Sequence, residues 1–257
     1  FPNPRLVIQP HDQSINLLQT PDEKISVLSK SGIDHLLIVP FTEEFSNYSA
    51  LQFVREILVE IIGVKTLVVG YDHRFGKNRE GSIETLKELA PTFEFEVHEI
   101  PAHDINEVAV SSTKIRNALN SGKIKEANQY LGYPYALSGI VSKGHNMGEK
   151  IGFKTANIQV PENFKLIPDD GVYAVFAYVK GVKYKGMANI GNQPTFNNRN
   201  HAIEVHLFEF DESIYNQGVK VELIGKIRTE KKFNNIEELQ KQLASDKITA
   251  LELLKEA

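Results

Sequence analysis

A chain of 257 residues is long enough for two modest domains, each with its own core. Its formal charge of −4 argues against a dedicated nucleic-acid binder, and the absence of cysteine removes disulfides, thiolate nucleophiles and thiolate metal sites. The lack of cysteine also fits a cytoplasmic protein, and no run of about 18 apolar residues occurs, so no membrane span is expected.

The first element is a helix. Thr20 caps it, Pro21 suits its first turn, Glu23 completes a capping box, and Gly32 ends the stripe of Ile25 and Leu28. His35 to Val39 has the pattern of a buried strand bounded by Pro40. A second helix opens at Ser49 with Gln52 three residues on; it carries Leu51, Val54, Leu58 and Ile61 and stops at Gly63. Thr66 to Val69 is a short strand, Ile83 to Ala90 a helix, and Phe93 to Val97 extended. Such alternation predicts a parallel sheet with helices on its faces, and ligands of such sheets bind beyond the carboxyl ends of the strands.

The loop after the Thr66 strand, residues 70–79, therefore draws attention. It mixes two glycines with Asp72, His73, Arg74, Lys77 and Arg79, although on spacing alone a solvated basic loop is the plainer reading. Further on, Ser111-Ser112-Thr113-Lys114-Ile115-Arg116 opens a helix to about Asn120. Its hydroxyls read either as plain caps or as a phosphate site aided by Lys114 and Arg116. A short helix from Lys123 to Leu131 ends at Gly132. Tyr133-Pro134-Tyr135 then makes a hinge, which divides the chain into 1–134 and 135–257.

From Ala136 the pattern changes to short strands and turns. Gly171 to Val179 is apolar on both faces; Val182 to Ile190, Ala202 to Phe210 and Val219 to Ile224 follow. Regular spacing predicts a small closed or partly open antiparallel barrel. Asn234 or Asn235 caps a C-terminal helix with Ile236, Leu239 and Leu243 on one face, and Asp246 is expected to start its continuation.

Between the first two barrel strands lies a loop with Gly144, Gly148 and Gly152, leading into Thr155-Ala156-Asn157-Ile158. Thr155 and Asn157 are two apart, so a strand points both to one face, and neutral oxygens beside a glycine loop suit a hydrated Mg²⁺ and phosphate. On a later strand Glu204 and His206 share one face while Ile203, Val205 and Leu207 take the other. A lone strand glutamate is usually just solvent-facing.

Gly152-Phe153-Lys154-Thr155-Ala156-Asn157 resembles the Gly-Phe-Pro-Thr-Ala-Asn signature of riboflavin kinases. The resemblance continues through Gly171-Val172-Tyr173-Ala174, Asn189-Ile190-Gly191-Asn192-Gln193-Pro194-Thr195-Phe196, Glu204-Val205-His206-Leu207 and Ile227-Arg228-Thr229-Glu230-Lys231-Lys232-Phe233. The order is similar to that of the bifunctional riboflavin kinase/FMN adenylyltransferases, or FAD synthetases. The tyrosine-aspartate loop and the Ser-Ser-Thr-x-Ile-Arg motif resemble the adenylyltransferase half of that family, a Rossmann-like nucleotidyltransferase, so nearly the whole chain is covered.

The resemblance implies an α/β adenylyltransferase-like domain over 1–134 and a riboflavin kinase barrel with a C-terminal helix over 135–257. ATP is the co-substrate; riboflavin, FMN and FAD are substrates and products. Glu204 is implied as catalytic base. Gly144, Gly148, Gly152, Thr155 and Asn157 would hold the nucleotide, Thr155 and Asn157 the Mg²⁺, and Arg228 the flavin or product phosphate, against a plainer reading of Arg228 as a surface partner of Glu230. Asp72, Ser112, Thr113 and Arg116 are implied for the second nucleotide site.

Departures from the family pattern are also legible. Lys154 replaces a proline, and Glu149 and Gln193 stand where arginine is common, which predicts weaker ATP binding than in a typical member. The His-x-Gly-His motif of that superfamily is missing, and Pro2-Asn3-Pro4-Arg5 resembles the element just beyond it. An additional N-terminal stretch is therefore expected in the native protein, and in this chain kinase activity is expected to outlast adenylylation. Competing readings are a kinase with a relic front domain and a non-catalytic barrel that binds RNA or protein.

Overall fold

The structure, a computed structural model, describes residues 16–101, 104–105, 108–142, 152–192 and 201–257. They fall into two compact units, one holding residues 24–110, the other Asn16–Glu23 together with Ser111–Ala257.

Helix α1 (Pro21–Leu28) opens on the expected reciprocal cap: the Glu23 N–H donates to Thr20 Oγ1 at 3.2 Å, and the Thr20 N–H to Glu23 Oε2 at 3.0 Å. A short α2 (Glu43–Ser46) precedes α3 (Ala50–Gln52), which carries the expected Ser49/Gln52 capping box. Beyond Gln52 the winding loosens into a π-helix over Phe53–Ile61. Bonds from i to i+5 widen each turn, so seven residues no longer make two turns. Val54 and Leu58, four apart, stay in the core, whereas Leu51 and Ile61 of the expected stripe turn out to solvent.

Strand β1 (Thr66–Gly70) pairs in parallel with β2 (Glu96–Ile100), from Thr66 opposite Glu96 to Gly70 opposite Ile100, and α4 (Ile83–Phe93) connects them. Val54, Leu58, Val69, Ile83, Leu86 and Phe95 form the core of this unit. The expected strand over 35–39 is a correction. Those residues adopt no ladder, and Leu36, Leu37 and Ile38 are 44%, 61% and 57% exposed. A short apolar run becomes a parallel strand only where a neighbour supplies its hydrogen bonds, and among the described residues none lies beside it. A two-residue ribbon, β3 (Asp104–Ile105) with β4 (Val108–Ala109), ends the unit.

In the second unit α5 (Ser112–Asn120) and α6 (Ile124–Leu131) lead into β5 (Tyr135–Ser142). Ser111 caps α5, accepting from the Lys114 N–H at 3.3 Å, and Gly132 ends α6 at φ +78°. The remaining strands are β6 (Ala156–Gln159), β7 (Gly171–Val179), β8 (Val182–Asn192), β9 (His201–Leu207) and β10 (Gly218–Arg228). They close an antiparallel barrel in the order β10-β5-β6-β9-β8-β7.

Helix α7 (Ile236–Leu253) packs on the outside of β7, β8 and β10. This explains why β7 is apolar on both faces. Tyr173, Val175 and Ala177 alternate with Ala174 and Phe176, which join Met187, Phe208, Ala250 and Leu254 in a cluster that includes the helix. Asn235 is the cap, its Oδ1 accepting from the Glu238 N–H at 2.8 Å. Asp246 starts no second helix, contrary to expectation: α7 runs through it, and its carboxylate is committed elsewhere.

Gly139 sits where β5 meets β6. A Cβ there would lie 2.4 Å from the Gln159 carbonyl oxygen, so the strands would have to part. Gly139→Ala is expected to cost about 1–3 kcal/mol of barrel stability, read as an earlier urea midpoint; an unchanged midpoint contradicts the contact.

Candidate active site

Antiparallel register builds the site. Asn157 on β6 lies opposite Glu204 on β9, Glu204 opposite Asn189 on β8, Asn189 opposite Val172 on β7, and Val172 opposite Arg228 on β10. Directly opposed residues share a face, so Asn157, Glu204, Asn189, Val172 and Arg228 form one row around the outside of the barrel. One step along, His206 lies opposite Met187, and Met187 opposite Ala174. Alternation sends Ile203 and Val205 inward, where both are buried.

These rows are one wall of a cavity of about 770 Å³. Thr155, Asn189, Glu204, His206 and Arg228 line it with Phe153, Val172 and Met187; Ile236, Leu239 and Leu243 of α7 supply the opposite wall, and residues 230–233 a further side. Thr155 and Glu204 therefore share one chamber, with Asn157 beside the carboxylate on the ladder. Apolar walls suit a flat aromatic ring system, and Arg228, Lys231 and Lys232 give one side a positive potential suited to phosphate.

Arg228 is held from behind. Its Nε donates to Asp246 Oδ1 and Oδ2 at 3.1 and 3.0 Å, and its Nη2 to Oδ2 at 2.9 Å. Nη1 donates to the Thr229 carbonyl at 3.0 Å. The carboxylate is 2% exposed and the guanidinium side chain 19%. The ion partner of Arg228 is thus Asp246, from the middle of α7, not Glu230. The single Nε hydrogen is shared between both Asp246 oxygens, and one hydrogen each on Nη2 and Nη1 is used, which leaves two of the five guanidinium hydrogens for the cavity.

His206 is half-buried between the rings of Phe153 and Phe208, at 5.1 and 5.6 Å between centroids. Burial pushes its pKa below the ordinary value, Lys247 pushes the same way, and the Lys154 carbonyl opposes them. Among the described residues no group of three or more His, Asp or Glu could cage a metal. A hard cation that keeps its waters and takes phosphate oxygens asks the protein for only one or two oxygen ligands. The Thr155 hydroxyl and Asn157 carboxamide are a donor set of that kind.

Gly152 has φ +81°, a left-handed turn leading to Thr155. Gly144 and Gly148, with Glu149 and Gln193, lie outside the described residues. In the α/β unit Asp72 is exposed in the loop beyond the carboxyl end of β1. That loop is anchored by Phe75, buried in the core, and contains Asn78 and Arg79 at φ +56° and +60°. Ser112 and Thr113 are exposed in the first turn of α5, with Arg116 one turn on, its Nε donating to the Asn16 carbonyl at 2.8 Å. Asp72 belongs to one unit and the α5 residues to the other.

Sequence reading did not single out Asn189, Lys231 or Lys232 as site residues. Asn189 emerges from the ladder register, and the two lysines from the cavity lining.

The family description "Riboflavin kinase" matches residues 131–254, and "FAD synthetase" matches residues 1–114. The bifunctional riboflavin kinase/FMN adenylyltransferase of Buchnera aphidicola subsp. Schizaphis graminum is 38% identical over 89% of this chain and 74% of its own length. That of Listeria monocytogenes serovar 1/2a is 38% identical over 95% and 77%. A crystal structure named as a macrolide-efflux protein from Streptococcus pneumoniae aligns with TM-score 0.86 at 30% identity, covering 96% of this chain and 80% of that one. Among the described residues no helix is long and apolar enough to cross a membrane. On both family matches and on these relatives, the chain belongs to the family of bifunctional riboflavin kinase/FMN adenylyltransferases.

Proposed function

We propose that the barrel half, residues 135–257, transfers the γ-phosphate of ATP to the terminal ribityl hydroxyl of riboflavin, giving FMN. The α/β half, residues 1–134, transfers an adenylyl group from ATP to FMN, giving FAD and pyrophosphate. This division is drawn at the Tyr133-Pro134-Tyr135 hinge, so α5 and α6 fall in the first half, although α6 packs on β5 and β10. The observation that carries the kinase reading is that Glu204 and Thr155 line one chamber with an apolar ring slot and a cationic side.

In this reading the isoalloxazine ring lies against Met187, Val172 and the α7 leucines, with the ribityl chain running to Glu204. The Glu204 carboxylate accepts the proton of the hydroxyl as its oxygen forms the new bond to phosphorus, and ADP leaves. Thr155 and Asn157 hold the nucleotide tail, with Gly144, Gly148 and Gly152 on the covering loop and Arg228 turned to the flavin or its phosphate. Mg²⁺, held by Thr155 and Asn157 with phosphate oxygens, would neutralise charge on the transferred group. In the other half Asp72, Ser112, Thr113 and Arg116 bind the second ATP. ATP, FMN and FAD are charged and do not cross membranes unaided, which supports a cytoplasmic enzyme in this reading, with small molecules rather than nucleic acid or membrane as partners.

A barrel that binds RNA would carry clustered cations with stacking aromatics along an open face; here Arg228, Lys231 and Lys232 share a walled chamber with the Glu204 carboxylate, which repels a phosphate backbone. The deciding assay supplies riboflavin with ATP and Mg²⁺ and separates the products by chromatography. FMN formation is expected, and FMN supplied in place of riboflavin tests FAD formation. Absence of both products, with no quenching of riboflavin fluorescence by the protein, contradicts the reading.

A further inference from the structure

The segment that carries Thr155 needs a restraint that the backbone ladder does not give. The β6–β9 ladder pairs Asn157 with Glu204 and Ala156 with Val205, and β6 begins at Ala156. Residues 153–155 adopt no regular structure, and Gly152 before them has φ +81°. Position 154, a proline in the resembling signature, is a lysine whose side chain reaches Asp211 only at 3.6 Å, in an exposed pair that contributes little.

One side chain supplies the missing restraint. His206 Nδ1 lies 2.8 Å from the Lys154 carbonyl oxygen. A carbonyl only accepts, so Nδ1 carries the hydrogen. The imidazole is itself fixed between Phe153 and Phe208. Thr155 is thereby held on both sides, by the ladder at Ala156 and by His206 at Lys154.

We infer that His206 is a positioning residue for the nucleotide, setting the place of the Thr155 hydroxyl relative to Glu204. The inference rests on the kinase reading of the cavity. Glu204 and His206 are two apart on β9, so the group that takes the acceptor's proton and the group that fixes the donor's anchor are referenced to one strand. Donor–acceptor distance then depends on a single element rather than on the relation of two. Phosphoryl transfer is sensitive to such placement, and an error of about 1 Å costs about a hundredfold in rate.

The test compares His206→Gln, His206→Leu and His206→Asn in the full chain. An asparagine amide nitrogen falls near the position of Nδ1, whereas that of glutamine falls near Nε2. His206→Gln and His206→Leu are expected to raise KM for ATP·Mg²⁺ and lower kcat, together by roughly tenfold to a hundredfold in kcat/KM. Riboflavin affinity, read from flavin quenching, is expected to fall clearly less than ATP affinity, since His206 lines the cavity but Met187, Val172 and the α7 leucines, against which the ring is placed, are retained. His206→Asn is expected to recover most of the loss. Unchanged ATP kinetics in His206→Gln overturn the inference, as does His206→Asn no better than His206→Leu. So does an equal weakening of riboflavin and ATP, which would mark a general support of the cavity. Failure of the kinase reading looks different: wild type forming no FMN, or Glu204→Gln as active as wild type, removes that reading and this inference with it.

Discussion

Glu204→Gln is expected to lower the rate of riboflavin phosphorylation by roughly a thousandfold, equivalent to about 4 kcal/mol of transition-state stabilisation. In the proposed mechanism the substitution removes the proton acceptor and little else. Glutamine keeps the length of the side chain and its place in the ladder between Asn157 and Asn189. Its carboxamide can still pair with neighbouring polar groups, but it cannot take a proton from an alcohol. Ground-state binding depends on the apolar walls and the cationic side of the cavity, which are untouched. The loss is therefore expected in kcat, with KM for riboflavin and for ATP changed only a few-fold. Following FMN by chromatography under saturating ATP·Mg²⁺ measures it. A variant within tenfold of wild type would mean that the hydroxyl loses its proton elsewhere.

The second large effect is on stability and concerns a residue outside the cavity lining. Glu23→Ala is expected to destabilise the barrel unit by about 3–5 kcal/mol, because it leaves a buried ammonium without its counter-ion. Lys165 Nζ lies 2.5 Å from Glu23 Oε2, with side-chain exposures of 1% and 9%. The same ammonium donates to the Leu18 carbonyl at 2.8 Å and lies 4.4 Å from the centre of the Tyr135 ring. Glu23 also accepts from the Ser138 N–H at 3.1 Å and the Thr20 N–H at 3.0 Å, so one carboxylate serves a helix cap, a barrel strand and a cation. Burial alone pushes the Lys165 pKa down, and Glu23 is the chief group that pushes it back. Without Glu23 the lysine must lose its proton or draw water into the core.

The chain has no tryptophan, so tyrosine fluorescence reports this unfolding, Tyr135 and Tyr173 being fully buried in the barrel unit. A urea midpoint unchanged from wild type would contradict the argument. Glu23→Leu combined with Lys165→Met is expected to regain most of the loss, since a buried ion pair is often replaceable by apolar residues of similar volume. Recovery in the double variant separates a charge penalty from a packing defect.

Glu23 also shows how far a local pattern reaches. Its role in the Thr20 capping box is legible from a three-residue spacing, because both bonds close within one turn. Its pairing with Lys165, 142 residues away, has no local signature. Asp246 is the same lesson from the other side. An aspartate within a long amphipathic stretch has the composition of a helix start, yet α7 runs through it because Arg228 satisfies the carboxylate that would otherwise compete for backbone N–H groups. The π-helix after Gln52 likewise shifts Leu51 and Ile61 off the core face, which a period of 3.6 cannot foresee.

Sequence alone determined the switch from helix to strand between Leu131 and Tyr135, the caps at Thr20, at Ser49 and at Asn234 or Asn235, the strand run of the barrel and the set of motifs that mark the family. All of these are encoded in residues a few positions apart, through period, turn chemistry or contiguous text. Tertiary structure alone decided which strands became neighbours, and so that Asn157, Glu204, Asn189 and Arg228 stand in one row, the last three of them on the cavity that α7 walls. Register between distant strands is fixed by the closure of the barrel and the burial of its alternate side chains, a constraint on the whole ring that no single segment carries.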